Sequence, residues 1–93
     1  METFKKIEGF EDYSISDHGN VRNDKTGKIR KPFLNQDNVY QLGLYKDKEV
    51  SMWRIHRLVC NAFIPNPDNK HDIQHIDGDT TNNEVTNLKW ISF

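Results

Sequence analysis

Apolar and polar residues alternate with a period of two through much of the first half of the chain. The alternation is clearest in VYQLGLYK, residues 39–46, and it resumes from Glu49 to Trp53 after a short polar connection. A period of two is typical of strands with one buried face, and a short polar connection joins such strands in a hairpin. We therefore predict a β-hairpin here, preceded by shorter strands at 13–16, around 21 and at 28–34.

The period changes to that of a helix at Arg54. The apolar residues of RIHRLVCNAFI recur three and four positions apart, as one helix face requires: Ile55, Leu58, Val59, Ala62 and Phe63. Pro65 and Pro67 follow, and proline cannot continue a helix because it lacks the amide hydrogen. Two more short strands are predicted at 72–75 and 88–92, on either side of a polar loop. The predicted fold class is α+β, with short antiparallel strands and hairpins and one main helix.

Composition adds limits on location and covalent chemistry. The chain has 93 residues and one cysteine, Cys60, so it forms no internal disulfide and fits a reducing compartment. Its first residues lack the apolar core of a signal peptide, and its apolar runs are too short to span a membrane. We therefore expect a cytoplasmic protein without a membrane partner.

Charge is unevenly distributed along the chain. The net charge is −1, but residues 21–60 carry nine Lys and Arg against four acidic residues, whereas the segments on either side are acidic. Local charge matters more than total charge for contact with phosphates. Charge alone nevertheless favours an ordinary solvated surface of mixed charge.

The stretch from Ile55 to Ser92 resembles the core of the HNH homing endonucleases of phages and introns. The shared features are an HRLV helix, an FIPNP loop, a HIDGD turn, a paired NN and NLKW. Upstream, IEGFEDYSISDHGNVRNDKTGKI resembles the nuclease-associated module that precedes this core in the same enzymes. Each fragment alone is weak, but their order and spacing together are specific. The resemblance divides the chain into a DNA-binding-like module at 1–50 and an HNH-like core at 51–93.

The resemblance implies a nuclease that cuts DNA with a divalent metal, Mg²⁺ or Mn²⁺. His75 matches the general base on the first strand of the ββα-metal hairpin, and Asn87 matches the asparagine that pins the loop and orients this base. The metal positions fall on Gln74 and His75. Asp77 and Asp79 are predicted to form the turn, and Asn82 and Asn83 to tie the loop together.

Two departures from the family pattern leave enzymatic activity uncertain. Gln74 stands where the family usually has Asp, Asn or His, and a neutral amide is a weaker ligand for Mg²⁺ than a carboxylate. The sequence also stops at Phe93, before the helix that carries the last ligand of the family. The ββα-metal hairpin is therefore expected to be incomplete.

In the resembled enzymes the module and the sheet lie along duplex DNA. The basic residues between Val21 and Pro32 are then the natural phosphate contacts: Arg22, Lys25, Lys28, Arg30 and Lys31. Tyr40 and Tyr45 of the hairpin are candidates for a groove, since a two-stranded ribbon fits the major groove. Double-stranded DNA is therefore the expected partner.

A structural zinc site is an alternative use of the histidines. His56 and Cys60 are four residues apart and share a helix face, and His71 and His75 lie in the next segment. Three imidazoles and a thiolate would hold Zn²⁺ tetrahedrally. The plainer interpretation makes His56 a packing or hydrogen-bonding residue, Cys60 a small apolar residue and His71 a surface residue.

Two functions therefore stay open for the sequence. The first is an HNH endonuclease from a phage or mobile element that binds double-stranded DNA and nicks it. The second is a catalytically inactive derivative that acts as a binding protein. Such a derivative would suit a phage inhibitor of a host defence nuclease of the CRISPR type, because the acidic ends of the chain complement a basic DNA channel.

Overall fold

A computed structural model describes residues 1–92 as three antiparallel sheets packed around one helix. The first sheet contains four strands in sequential order: β1 (Phe4–Ile7), β2 (Phe10–Ser16), β3 (Val21–Asn23) and β4 (Lys28–Arg30). The second contains β5 (Phe33–Leu34), β6 (Tyr40–Lys46) and β7 (Glu49–Arg54). Helix α1 (Ile55–Phe63) follows directly, and the third sheet pairs β8 (Asp72–His75) with β9 (Leu88–Ile91) after a 3-10 turn at Val85–Asn87. The predicted α+β class is confirmed.

The hairpin and the helix lie where the periodicity predicts them. β6 and β7 pair from Gln41 and Arg54 to Lys46 and Glu49 without a register shift. The helix is one residue shorter at each end than RIHRLVCNAFI, and the backbone N–H of Ile64 donates to the Cys60 carbonyl at 3.0 Å to close it. Pro65 then ends it, as expected.

Two features of the sheets differ from the prediction. The stretch 28–34 forms two strands in different sheets rather than one, because Pro32 between them has no N–H for a strand ladder. Strand β1 was not predicted, since FKKI has no alternation long enough to be recognised. It is held by its antiparallel pairing with β2.

The core lies between α1 and the sheets. Helix residues Ile55, Leu58 and Val59 are almost fully buried against side chains of all three sheets: Ile7, Tyr13, Ile15, Val21, Leu42, Leu44 and Leu88. Ala62 and Phe63, predicted on the same helix face, are only partly buried. Both predicted units therefore contribute to one hydrophobic cluster, and the predicted division at residue 50 falls inside β7.

Across the part of the chain that the structure describes, no helix is long and apolar enough to cross a membrane. The predicted terminus at Phe93 lies outside the described residues.

Candidate active site

His75 is the last residue of β8, and its side chain points to the buried face of the third sheet. Only 8% of its surface is exposed. One side of the ring meets the edge of the His56 ring, with the centroids 5.0 Å apart. On the other side, its Nε2 lies 2.9 Å from Oδ1 of Asn83. The ring is therefore held by contacts from the helix and from the loop between β8 and β9.

His56 is the helical side of this contact and carries no charge at neutral pH. Burial, and to a lesser extent the neighbouring His75, lowers the pKa of His56 to about 4. Its Nδ1 is buried and has no hydrogen-bond partner among the described residues. His56 therefore packs against His75, and its Nδ1 makes no hydrogen bond within residues 1–92.

Asn87 holds the turn that follows His75. Its Nδ2 donates to Oδ1 of Asp77 at 2.9 Å and to the carbonyl of Asn82 at 3.0 Å, and its Oδ1 accepts from the backbone N–H of Asp77 at 3.0 Å. The backbone carbonyl of Asn87 accepts from the N–H of Ile76 at 2.7 Å. Since Ile76 directly follows His75, these bonds join the end of β8 to the start of β9.

Asp77 and Asp79 use their carboxylates inside the loop, as predicted for turn formers. Asp77 accepts from Asn82, Asn87 and the N–H of Asp79, and the side-chain bond from Asn82 is the largest cause of its lowered pKa. Asp79 accepts from the N–H and hydroxyl of Thr81, which lower its pKa in the same way. Both carboxylates are therefore committed to the turn.

The two adjacent asparagines of the loop have different roles. Asn82 ties the loop, because its Nδ2 donates to Asp77 and its Oδ1 accepts from the N–H of Glu84 at 3.3 Å. Asn83 is buried and contacts His75 through its side chain, so the prediction that it only ties the loop is incomplete. The paired NN of the sequence indicates two polar loop positions. Their spacing from His75 along the chain does not show which of the two asparagines contacts it.

The predicted four-residue zinc site does not form. Cys60 is fully buried in the core, where burial raises the pKa of its thiol to about 12, and His71 is exposed. No group of three or more His, Cys, Asp or Glu side chains within residues 1–92 is placed to hold a metal. The helical spacing put His56 and Cys60 near one face, but His56 turns toward His75 while Cys60 packs inward.

The described residues also fit a hard divalent cation poorly. Gln74 is exposed and precedes His75 in β8, so its side chain projects from the opposite face of the strand. An amide oxygen and an imidazole are both neutral donors, whereas Mg²⁺ favours carboxylates. Because Asp77 and Asp79 are bonded within the turn, residues 1–92 do not assemble a complete site for this ion.

The five predicted phosphate contacts do not share one face. In the first sheet Arg22 pairs with Ile29, whereas Lys28 pairs with Asn23 and Arg30 with Val21, so Arg22 projects to the opposite side. Arg22 also donates to Asp24 at 2.9 Å, and Lys25 lies 3.3 Å from Asp12. Of the five, Lys28, Arg30 and Lys31 have no acidic partner within residues 1–92.

Only one of the two candidate tyrosines is free to reach a groove. Tyr40 packs against the core on the inner face of β6, in phase with the buried Leu42 and Leu44. Tyr45 lies on the outer face and is 61% exposed, beside Val50 of β7. The sequence predicts both tyrosines as groove contacts. They lie five positions apart in one strand, however, so their side chains face opposite sides of the sheet.

An ion pair links the first sheet to the loop of the site. Nδ1 of His18 lies 2.6 Å from a carboxylate oxygen of Glu84, and this bond raises the pKa of His18 above its usual 6.5. A raised pKa in the folded state stabilises the fold below pH 6.5, and the stabilisation disappears as the pH rises through the folded value. His18 is therefore an exposed residue that is paired with Glu84.

We expect Glu84→Gln to lower the melting temperature at pH 6 by more than it does at pH 9. The difference arises because only protonated His18 loses a charged partner. Thermal unfolding at both pH values measures it, with Glu8→Gln as the control at an exposed acid that pairs with no basic residue in residues 1–92. An equal loss at the two pH values would contradict the prediction.

Two family models match successive parts of the chain. Residues 2–45 match the NUMOD4 motif, and residues 54–92 match the HNH endonuclease model. The HNH match includes both His75 and Asn87.

Individual relatives are similar over nearly the whole chain. An uncharacterized HNH endonuclease of Acanthamoeba polyphaga mimivirus is 38% identical over 90 residues, which are 97% of this chain and 27% of that protein. The DNA endonuclease I-HmuI of Bacillus phage SP01 is 33% identical over 90 residues, or 96% of this chain and 52% of the relative. The chain thus spans about half or less of the length of the curated relatives that it matches.

The fold is shared with a solved structure of the same homing endonuclease. That structure, described as DNA binding and cleavage by the HNH homing endonuclease I-HmuI, superposes with a TM-score of 0.90 at 33% identity. The match covers 97% of this chain and 52% of the other. The chain therefore shares the fold of about half of that enzyme.

Proposed function

The chain belongs with the phage-type HNH homing endonucleases, and from this relationship we propose that it binds double-stranded DNA and nicks it with His75 as the general base. The observation that carries the proposal is the environment of His75. Its imidazole is held between His56 and Asn83 at the end of β8. Asn87 locks the adjoining turn with three side-chain hydrogen bonds.

The chemistry assigned to His75 is removal of a proton from water as the water oxygen attacks the phosphorus, while the bond from phosphorus to one sugar oxygen breaks and that oxygen leaves and takes up a proton from solvent. An imidazole suits this step because its usual pKa lies near neutrality. A base is effective when it is held in one orientation, which lowers the entropic cost of reaching the reactive geometry. The contacts of His75 with a helix residue and a loop residue supply that restraint.

HNH endonucleases generally use a divalent metal. When bound, such an ion stabilises negative charge on the phosphate and the leaving oxygen. Gln74 would be a donor to this ion, but His75 would not, because the two side chains project from opposite faces of β8 and the free imidazole nitrogen of His75 is assigned to the base. Mg²⁺ and Mn²⁺ are both candidates, since an amide oxygen is a neutral donor for either ion.

Conversion of supercoiled plasmid to the open circular form tests nicking by the chain. The protein is incubated with Mg²⁺, with Mn²⁺ and with a chelator, and the open circular product is followed over time. We expect product with one of the two ions and none with the chelator. Absence of nicking with both ions, while duplex DNA is still bound, would contradict the cleavage part of the proposal and leave the binding part standing.

Contact with phosphates predicts a specific dependence of binding on salt. The double variant Lys28→Ala, Lys31→Ala is expected to reduce the slope of log affinity against log salt by about two, since each lost phosphate contact removes about 0.9. Both lysines are exposed and pair with no acidic residue within residues 1–92. Fluorescence anisotropy with a duplex at several salt concentrations measures the slope.

The matched control is Lys48→Ala, Lys70→Ala, which removes the same charge from the β6–β7 turn and from the loop after the helix. We expect this control to keep the wild-type slope. Equal slopes for both double variants would show that the strand β4 region makes no phosphate contacts.

The inhibitor alternative gains no support from the fold or from the relatives. Both similar proteins are described as endonucleases, and neither description names a protein target. The inhibitor alternative rests on the acidic ends of the chain. Tight binding to a nuclease, together with no binding to DNA, would favour this prediction.

A further inference from the structure

The turn between β2 and β3 is a rigid part of the first sheet. Ser16 is fully buried, and its hydroxyl accepts from the N–H of His18 at 3.2 Å and of Asn20 at 3.0 Å. The backbone N–H of Gly19 donates to the Ser16 carbonyl at 3.0 Å, and the N–H of Ser16 donates to Asn20 at 2.8 Å. These bonds leave the turn, residues 17–19, little freedom to adjust.

This turn presses against the loop that carries Asn83. The carbonyl of Asp17 accepts from the N–H of Val85 at 2.9 Å, and the imidazole of His18 pairs with Glu84 at 2.6 Å. Each of the three consecutive loop residues 83 to 85 thus lies against one residue of the turn. Such matched contacts hold one backbone against another in a single position.

Gly19 lies close to Asn83. A Cβ placed on it would lie 3.0 Å from Cβ of Asn83 and 3.3 Å from the Asn83 carbonyl oxygen. Neither atom is the end of a flexible side chain, so a larger residue at this position would require Asn83 or the turn to move by a few tenths of an ångström. Gly19 also has a φ of +85°, a conformation that favours glycine.

Asn83, which the turn holds in place, is hydrogen-bonded to His75. The two side chains are 7% and 8% exposed, and Oδ1 of Asn83 lies 2.9 Å from Nε2 of His75. An amide oxygen only accepts, so this bond places the hydrogen of the neutral imidazole on Nε2. Nδ1 then keeps the lone pair that a general base needs.

We propose that the turn at residues 17–19 is a positioning element for His75, acting through Asn83 to hold the ring and keep its proton on Nε2. The proposal rests on the proposed role of His75 as the base. It gives the first sheet a part in the chemistry that is separate from DNA contact. Gly19 and Asn83 are positioning residues, since neither is assigned contact with the reacting atoms.

The Nε2 hydrogen of His75 can be observed by NMR, so this arrangement can be tested without measuring DNA cleavage. Proton NMR of the whole chain at about pH 8, above the usual histidine pKa near 6.5, detects an imidazole hydrogen only when it exchanges slowly with water. We expect a resolved signal from His75 in the wild type. Asn83→Ala should abolish it, and Asn83→Asp, which still accepts the bond, should restore it.

Gly19→Ala tests the turn, and Gly9→Ala is its matched control. Gly9 has a φ of +84°, almost equal to that of Gly19, but a Cβ there meets nothing within 4 Å. Both variants carry the same backbone strain. We expect exchange of the His75 Nε2 hydrogen to become at least about fivefold faster in Gly19→Ala only, the effect of weakening one hydrogen bond of ordinary strength.

Three results would overturn the proposal: the hydrogen found on Nδ1, the signal kept in Asn83→Ala, or equal exchange in the two glycine variants. If Gly19→Ala does not fold, Glu84→Ala replaces it, because this change removes the hydrogen bond with His18 whether or not the imidazole is charged. Faster exchange in Glu84→Ala supports the proposal, and unchanged exchange overturns it. A wild-type chain that shows this exchange pattern but never nicks DNA would refute the proposed function alone.

Discussion

Replacing His75 with alanine is expected to lower the nicking rate by about 10² to 10⁴-fold, the usual contribution of a general base. Binding of duplex DNA should be almost unchanged, since His75 is buried and belongs to none of the proposed phosphate contacts. The rate of plasmid nicking measures the first quantity, and anisotropy with the same duplex sequence measures the second. A loss of rate without a loss of binding is the signature of a chemical role.

His71→Ala is the matched control for this experiment. It removes an imidazole four residues earlier, at an exposed position whose backbone carbonyl accepts from Arg57 and whose side chain makes no hydrogen bond within residues 1–92. We expect the nicking rate of this variant to equal that of the wild type. A second substitution, His75→Gln, keeps a polar side chain beside Asn83 and guards against misfolding. Nicking by folded His75→Gln at the wild-type rate would rule out His75 as the base.

Replacing Asn87 with alanine should have the largest effect on stability, a loss of about 2–4 kcal/mol in the free energy of unfolding. The side chain makes three hydrogen bonds at an 8% exposed position, and each such bond contributes about 1 kcal/mol, with an added cost for groups left unpaired. A domain of this size has a total stability of only about 5–14 kcal/mol. Urea unfolding measures the change.

Asn61→Ala provides the comparison, because Asn61 is exposed on the helix and its side chain makes no hydrogen bond within residues 1–92. Alanine favours a helix slightly more than asparagine, so stability should be equal or higher. Asn87→Asp should also lower the free energy of unfolding, since a carboxylate cannot donate to Asp77 and would repel its charge. A loss below about 0.5 kcal/mol for Asn87→Ala, the range of ordinary surface changes, would refute the structural role.

The elements that were predicted correctly depend on local patterns. The β6–β7 hairpin follows from alternation on both sides of a polar turn, and the helix follows from apolar spacing ended by Pro65. Both signals arise from residues close together in the chain. Strand β1 depends instead on pairing with β2, and FKKI alone contains no comparable signal.

The candidate site was predicted residue by residue but not as an arrangement. Family motifs pointed to His75 and Asn87, and the structure places His75 at the end of β8 and Asn87 in the turn before β9, where it bonds to the two residues that follow His75. Their roles remain predictions until the variants are measured. The proposed zinc site failed because helical spacing brings His56 and Cys60 to neighbouring positions without specifying which side chain enters the core.

The sequence alone determined the family, the α+β class, the hairpin and the helix, since order, spacing and periodicity are properties of the chain itself. Only the tertiary structure decided which residues meet across long distances. It set Arg22 and Arg30 on opposite sides of a sheet, and it brought Gly19 against Asn83 beside His75. Such contacts depend on strand register and on packing between elements, and the spacing of residues along the chain specifies neither.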